Sequence, residues 1–181
     1  MGSWPDWGKP YKPGLFIIQP PDHVSAIVDA QRKVYDPVSQ NTISAHITLT
    51  QPLLNDPTES DWALFVQALS KIQPFEIHYG PIKSFLPYPC IWYDVQPAEQ
   101  VLEMRSSLHQ TGLFNLQEGY IKDFIPHMTI TEGRSGPEVT PTLLEKLQNE
   151  SQPGTFLCKE LVLSVPDQNF HFSSQKKLPF R

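Results

Sequence analysis

Two hydrophobic periods alternate along the chain, and the order in which they alternate occurs twice. After a turn-rich opening (residues 1–14), LFIIQP (15–20) is an apolar run of strand length. Residues 22–35 follow with Val24, Ile27, Val28 and Val34 spaced for one helical face, and Asp22 suits the N-cap. SAHITLTQP (44–52) alternates with period two, which predicts a strand. Thr58 to Asp61 has the form of a capping box, and Trp62, Phe65, Leu69 and Ile72 lie on one stripe of the helix it opens. FEIHYGPIKSF (75–85) predicts a further strand.

The second copy begins at CIWYDV (90–95), again a strand. Pro97 suits the first position of a helix carrying Val101, Leu102, Met104 and Leu108, and Gly112 suits its end. FIPHMTIT (124–131) is the next strand. Thr140 and Pro141 open a helix with Leu143, Leu144 and Leu147. FLCKELVLSV (156–165) and NFHFSSQKKL (169–178) close as a hairpin-like pair. A repeat this long predicts two similar lobes (15–88 and 89–181) related by an approximate two-fold axis. The fold class expected is α+β, a duplicated sandwich of two mostly antiparallel sheets with helices outside and a central groove. Residues 1–14 read as a leader over the surface of one domain, 15–181.

Within this pattern one motif stands out: His46-Ile47-Thr48-Leu49-Thr50 and its copy His127-Met128-Thr129-Ile130-Thr131. Side chains alternate faces along a strand, so each histidine and its threonines point one way and the apolar residues the other. A lone histidine in a strand usually serves structure, and threonine is common in strands because it is β-branched. Repetition alters that balance. Threonine at both +2 and +4 after two of six histidines has a chance probability on the order of one in ten thousand.

Composition narrows the partners. Net charge is −5 and the pI about 5.6, which argues against a protein that coats duplex DNA through lysines and arginines. A nucleotide or an RNA end needs only a few placed donors and stays open. Lys176, Lys177 and Arg181 form a basic cluster at the C-terminus, a solvated tail or a phosphate contact. Cys90 and Cys158 lie in apolar runs without a CxxC pairing and read as buried free thiols. Neither a secretory h-region nor a membrane-length apolar run is present, so a cytoplasmic location is the default expectation. Aromatic residues near strand ends include Phe85, Tyr88, Trp92, Tyr93, Tyr120 and Phe124. Trp92 or Tyr93 is expected to line the groove as a base-stacking surface, because alternation turns one of them inward.

The paired H-x-T-hydrophobic motifs, 81 residues apart on strands of a duplicated α/β pattern, resemble the 2H phosphoesterase superfamily. The closest likeness is to its 2′-5′ RNA ligase-like and cyclic phosphodiesterase branch, over residues 14–181. The chain departs from the common pattern in two places. Ala45 stands where proline often precedes the first histidine, while Pro126 keeps it in the second copy; Glu132, and only later Arg134, follow the second motif where some members carry a basic residue.

The resemblance implies metal-independent chemistry without a cofactor. Opening a cyclic phosphate requires one group to take a proton from water and another to protonate the departing sugar oxygen. Imidazole suits both tasks because its ordinary pKa lies near working pH. His46 and His127 are therefore the expected acid–base pair. Thr48 and Thr129 are expected to donate to the non-bridging phosphate oxygens, with Thr50 and Thr131 extending that cradle. Which histidine is acid and which base is open, as are an RNA-end-processing or ligase-like role and a binding module on the same fold. A two-histidine metal site is the competing chemistry, and neither motif carries nearby carboxylate or cysteine ligands for it. His23, His78, His109 and His171 read as structural. A nucleotide or RNA-end substrate, no membrane and a monomer complete the expectation.

Overall fold

The computed structural model describes residues 6–117 and 123–180, so Trp4, Tyr120 and Arg181 lie outside the described residues. A 3-10 helix (Asp6–Tyr11) leads into β1 (Leu15–Ile18), α1 (Asp22–Tyr35), α2 (Pro37–Thr42), β2 (Ile47–Thr48) and α3 (Glu59–Ala68). Next come β3 (Phe75–Ser84), β4 (Ile91–Gln96), α4 (Ala98–His109) and β5 (His127–Thr131). The chain closes with α5 (Pro141–Asn149), β6 (Gly154–Cys158), β7 (Glu160–Pro166) and β8 (Phe172–Pro179).

The fold is α+β with antiparallel strands, as the pattern predicts. The strands form one sheet in the order β6-β3-β4-β5-β2-β1-β7-β8. Its two halves mirror each other about the β5–β2 junction, where Ile47 pairs with Met128. Reading outward, one half runs β2, β1, β7, β8 and the other β5, β4, β3, β6. The histidine strands are thus the innermost pair.

These spatial halves are not the expected chain halves 15–88 and 89–181. The run 156–165, read as one strand, breaks at Lys159 into β6, which pairs with β3, and β7, which pairs with β1. A single residue thus links strands in opposite halves of the sheet. Consecutive Cα atoms are only about 3.8 Å apart, so the sheet must curl until its outer strands approach. Phe180, just past β8, donates its amide to Lys159 O at 2.9 Å and stacks on Phe75 of β3 at 6.5 Å.

Local signals hold at several helix ends. Thr58 and Asp61 form the capping box, and Thr140 caps α5 with Pro141 in its first turn. Asp22 is not the cap of α1: Pro21 occupies that position, with Asp22 in the first turn. Val34 is 63% exposed, and the buried stripe of α1 is Val24, Val28, Arg32 and Tyr35. Within the leader, Asp6–Tyr11 form the 3-10 helix, and α2 has no counterpart in the sequence pattern because six residues are too few to show a period. Cys90 and Cys158 are buried free thiols, and burial pushes both up to about 12. No helix among the described residues is long and apolar enough to cross a membrane.

Both histidine strands lose their alternation at the same point. The amides of Leu49 and Thr50 both donate to Phe16 O, at 3.0 and 3.2 Å, so two residues oppose one. In β5 the register against β4 jumps from Trp92↔Thr129 to Ile91↔Thr131. A bulge of this kind reverses the phase of every side chain beyond it. Thr50 and Thr131 therefore turn into the interior, at 2% and 0% exposure.

Ile47 lies fully buried at the junction between the two histidine strands. Ile47→Ala should lower unfolding stability by about 2–5 kcal/mol, read from the urea midpoint.

Candidate active site

Because β2 and β5 are neighbours, His46, Thr48, His127 and Thr129 line one cavity of about 180 Å³. Their alternating partners Ile47, Met128 and Ile130 are fully buried on the opposite, dry face.

Each imidazole is oriented in the same way. His46 Nδ1 lies 2.8 Å from Ser44 O, and His127 Nδ1 lies 2.7 Å from Ile125 O. A carbonyl oxygen only accepts, so Nδ1 carries the hydrogen and Nε2 is left as the proton-exchanging nitrogen. Thr48 Oγ1 stands 3.2 Å from His46 Nε2. Behind His127 pack Phe85 and Trp92, each with its ring centroid 5.4 Å away. Burial, reinforced by the charge of Arg32, pushes His46 down to about 4. Burial also lowers His127, against the opposing pull of Ile125 O and the Glu132 carboxylate.

Arg32 also lines this cavity, and the sequence pattern did not single it out. Its guanidinium donates to Ser39 O at 2.9 Å, Ile43 O at 2.8 Å and Thr129 O at 2.9 Å. Its Nε has no hydrogen-bond partner among the described residues and lies 3.5 Å from Asp29 Oδ1, an ion pair without hydrogen-bond alignment. The other half answers with Arg105 of α4, which donates to Leu49 O at 2.5 Å. Each helix thus grips the histidine strand of the opposite half. An arginine in phase with the apolar stripe of a helix, as at 24-28-32 and 101-105-108, is the signal that would have found both.

Asp29 accounts for Ala45. The Ala45 amide donates to Asp29 Oδ1 at 2.8 Å, a bond that proline, lacking an N–H, cannot make. After the second motif, Glu132 and Arg134 both line the cavity and pair with each other at 2.8 Å. The loop that carries them is held by Asp36, which is fully buried. Its carboxylate accepts from Ser39 Oγ (2.9 Å), Ser135 Oγ (2.8 Å), and the amides of Ser39 (3.3 Å), Glu132 (2.9 Å) and Arg134 (3.4 Å).

Other expected site residues lie elsewhere. Thr50 Oγ1 accepts from Phe16 N at 2.9 Å and Thr131 Oγ1 from Gly133 N at 3.0 Å, and neither lines the cavity. Both are backbone anchors at the bulges. Tyr93 is fully buried and donates its hydroxyl to Gln31, while Trp92 is 3% exposed behind His127, so neither presents a face to the groove. His109 accepts the Gln51 amide at 3.1 Å, and His23, His78 and His171 are exposed and do not line the cavity. Lys176 sits over the Trp62 ring and Lys177 pairs with Glu160, which occupies the basic tail.

The sequence profile described as the 2′-5′ RNA ligase superfamily matches residues 20–169. A protein of Bacillus cereus strain B4264, named as a candidate phosphoesterase, is 27% identical over 162 residues, covering 88% of this chain and 86% of its own length. The crystal structure of E. coli LigT complexed with 3′-AMP has a TM-score of 0.58 at 16% identity, covering 92% of this chain and 96% of its own. The crystal structure of TT0787 from Thermus thermophilus gives 0.55 at 16% identity, with 91% and 96% covered.

Burial alone would raise the pKa of Asp36, but its hydrogen bonds outweigh that and hold the carboxyl below 3.8. The stabilisation is complete above the unfolded value and is lost as pH falls through the depressed folded one. Asp36→Asn should therefore cost about 1.5–3 kcal/mol near neutral pH. In urea titrations across pH, the gap to the wild type should narrow below about pH 4. A gap that widens on acidification would contradict this role.

Proposed function

The chain belongs to the 2′-5′ RNA ligase superfamily of 2H phosphoesterases, and from that premise we propose that it opens 2′,3′-cyclic or related 2′-linked nucleotide phosphates by metal-independent acid–base catalysis between His46 and His127. The observation that carries this reading is the matched pair of imidazoles at one cavity, each with Nδ1 tied to the carbonyl two residues back and Nε2 left for proton transfer. Occupancy of E. coli LigT by 3′-AMP adds support for a nucleotide.

In the step proposed, water attacks phosphorus and loses a proton to one Nε2. The bond from phosphorus to the sugar oxygen breaks on the opposite side, and the other imidazolium gives its proton to that oxygen. Thr48 and Thr129 donate to the non-bridging oxygens, where charge accumulates. The Arg32 guanidinium in the same wall adds positive charge close to the phosphate. Each histidine serves as either acid or base according to the direction of the reaction.

Hydrolysis of 2′,3′-cyclic nucleotides tests the assignment. His46→Ala and His127→Ala should each lower kcat/KM by about 10² to 10⁴, with unchanged circular dichroism and in the presence or absence of a chelator. Wild-type rates in both variants would falsify the pairing, and a protein that binds nucleotide but turns none over would be a binding module.

The pH dependence follows from the two lowered imidazoles. The profile of kcat/KM, which reports the free enzyme, should be bell-shaped with an acid limb near pH 4 from His46 and an alkaline limb below 6.5 from His127. A single rise continuing through about pH 8 would rule out imidazoles as the titrating pair.

A further inference from the structure

Beside the two histidines, the charged side chains lining the cavity among the described residues are Arg32, Glu132 and Arg134. Glu132 is the one carboxylate in that described wall. The bulge in β5 places it there. Had the alternation continued from Thr129, residue 132 would point to the opposite face. The register jump after Thr129 reverses the phase, so Thr131 turns inward and Glu132 comes back to the cavity side.

The chain on either side of this carboxylate is fixed. Asp36 accepts the amides of Glu132 at 2.9 Å and Arg134 at 3.4 Å, and Thr131 Oγ1 accepts that of Gly133 at 3.0 Å. Gly133 turns at φ +66°, where an added Cβ would stand 3.0 Å from Pro89 Cβ. Glu132 Oε2 meets Arg134 Nε at 2.8 Å, with the arginine 37% and the glutamate 35% exposed. A pair this open to water adds little stability, so folding does not account for a carboxylate here. Burial lowers the pKa of both Arg32 and His127, and the Glu132 charge opposes that at each. Its field therefore reaches both sides of the cavity. Asp29 and Asp36 also act on Arg32, but their oxygens accept from main-chain amides and neither lines the cavity.

We propose that Glu132 selects the ligand by charge: it admits a phosphate diester with one negative charge and disfavours the doubly charged monoester that ring opening leaves. This inference rests on the phosphoesterase reading and adds a residue that sets its specificity. In ring opening a bond forms from phosphorus to the water oxygen, the bond to one sugar oxygen breaks, and that oxygen takes a proton. The phosphate had one ionisable oxygen before the step and has two after it. With a second pKa near 6, a monoester carries about −1.5 to −2 charges at pH 7. Arg32 and Arg134 attract both species, and more strongly the more highly charged one. A fixed carboxylate in the same wall cancels part of that difference, so the product leaves and does not displace substrate.

Calorimetry at about pH 8, above the second phosphate pKa, compares 2′-deoxyadenosine 3′-phosphate with its methyl ester: one nucleoside, two charge states, no 2′-hydroxyl to react. In Glu132→Gln the affinity ratio of monoester to diester should rise about tenfold above the wild-type value. Glu132→Asp keeps the charge and should keep the ratio within about twofold. A ratio unmoved in Glu132→Gln overturns the proposal. An equal rise in Glu132→Asp also overturns it, since the shape of the Arg134 pair would then be the cause. Failure of both ligands to bind the wild type at millimolar concentration overturns it as well. In hydrolysis of 2′,3′-cyclic AMP, the inhibition constant of 3′-AMP relative to KM should fall about tenfold in Glu132→Gln. Cyclic phosphate hydrolysed with both ratios unmoved overturns the role of Glu132 alone. The charge-dependent binding ratio in a protein that hydrolyses no cyclic phosphate overturns the phosphoesterase reading alone.

Discussion

A guanidinium taken out of water is costly unless its donors find acceptors, and Arg32, at 2% exposure, is the group on which the geometry of the site depends. Its hydrogen bonds go to three main-chain carbonyls: Ser39, Ile43 and Thr129. Two of these precede the first histidine and the third lies within the second motif. The requirement to satisfy one buried cation therefore fixes the segment before His46 against the strand that carries His127. Arg105 imposes the complementary constraint from the other half through Leu49 O. Since the acceptors are backbone atoms, each guanidinium acts directly on the course of the main chain.

That constraint also sets the electrostatics. The Arg32 charge disfavours protonation of His46, while the Glu132 carboxylate favours it at His127. Two imidazoles equivalent by backbone position are therefore unequal in proton affinity. Inequality suits the acid and base roles proposed for the pair.

The approximate two-fold relation covers the two histidine motifs more closely than it covers the walls around them. Each histidine bonds the carbonyl two residues back, and each motif ends in a bulge that buries its last threonine. In the half of the sheet that carries His46 the wall includes Tyr11, Phe170 and Phe172. Beside His127 it is Phe85 and Trp92, with Lys83 paired to Asp94 beyond them. Duplication thus accounts for the matched motifs, and divergence of the flanking segments accounts for the unlike walls around them.

Local pattern by itself determined the elements and the chemical groups. The period-two and helical stripes, the Thr58–Asp61 box and the repeated H-x-T motif were all legible, because each depends on residues within a few positions of one another. Departures arose where distant partners decide. Thr50 and Thr131 follow the alternation on paper, yet each motif strand bulges where it meets its neighbour, and that reverses their phase. The run 156–165 looked like one strand because nothing near Lys159 reveals that β3 claims one part and β1 the other. Arg32 carries no local sign of its role, because the carbonyls of residues 39, 43 and 129 converge on it only in the folded chain. Tertiary structure decided these matters because hydrogen-bond satisfaction is a long-range requirement: a buried donor or acceptor is placed by whichever part of the chain can pair with it.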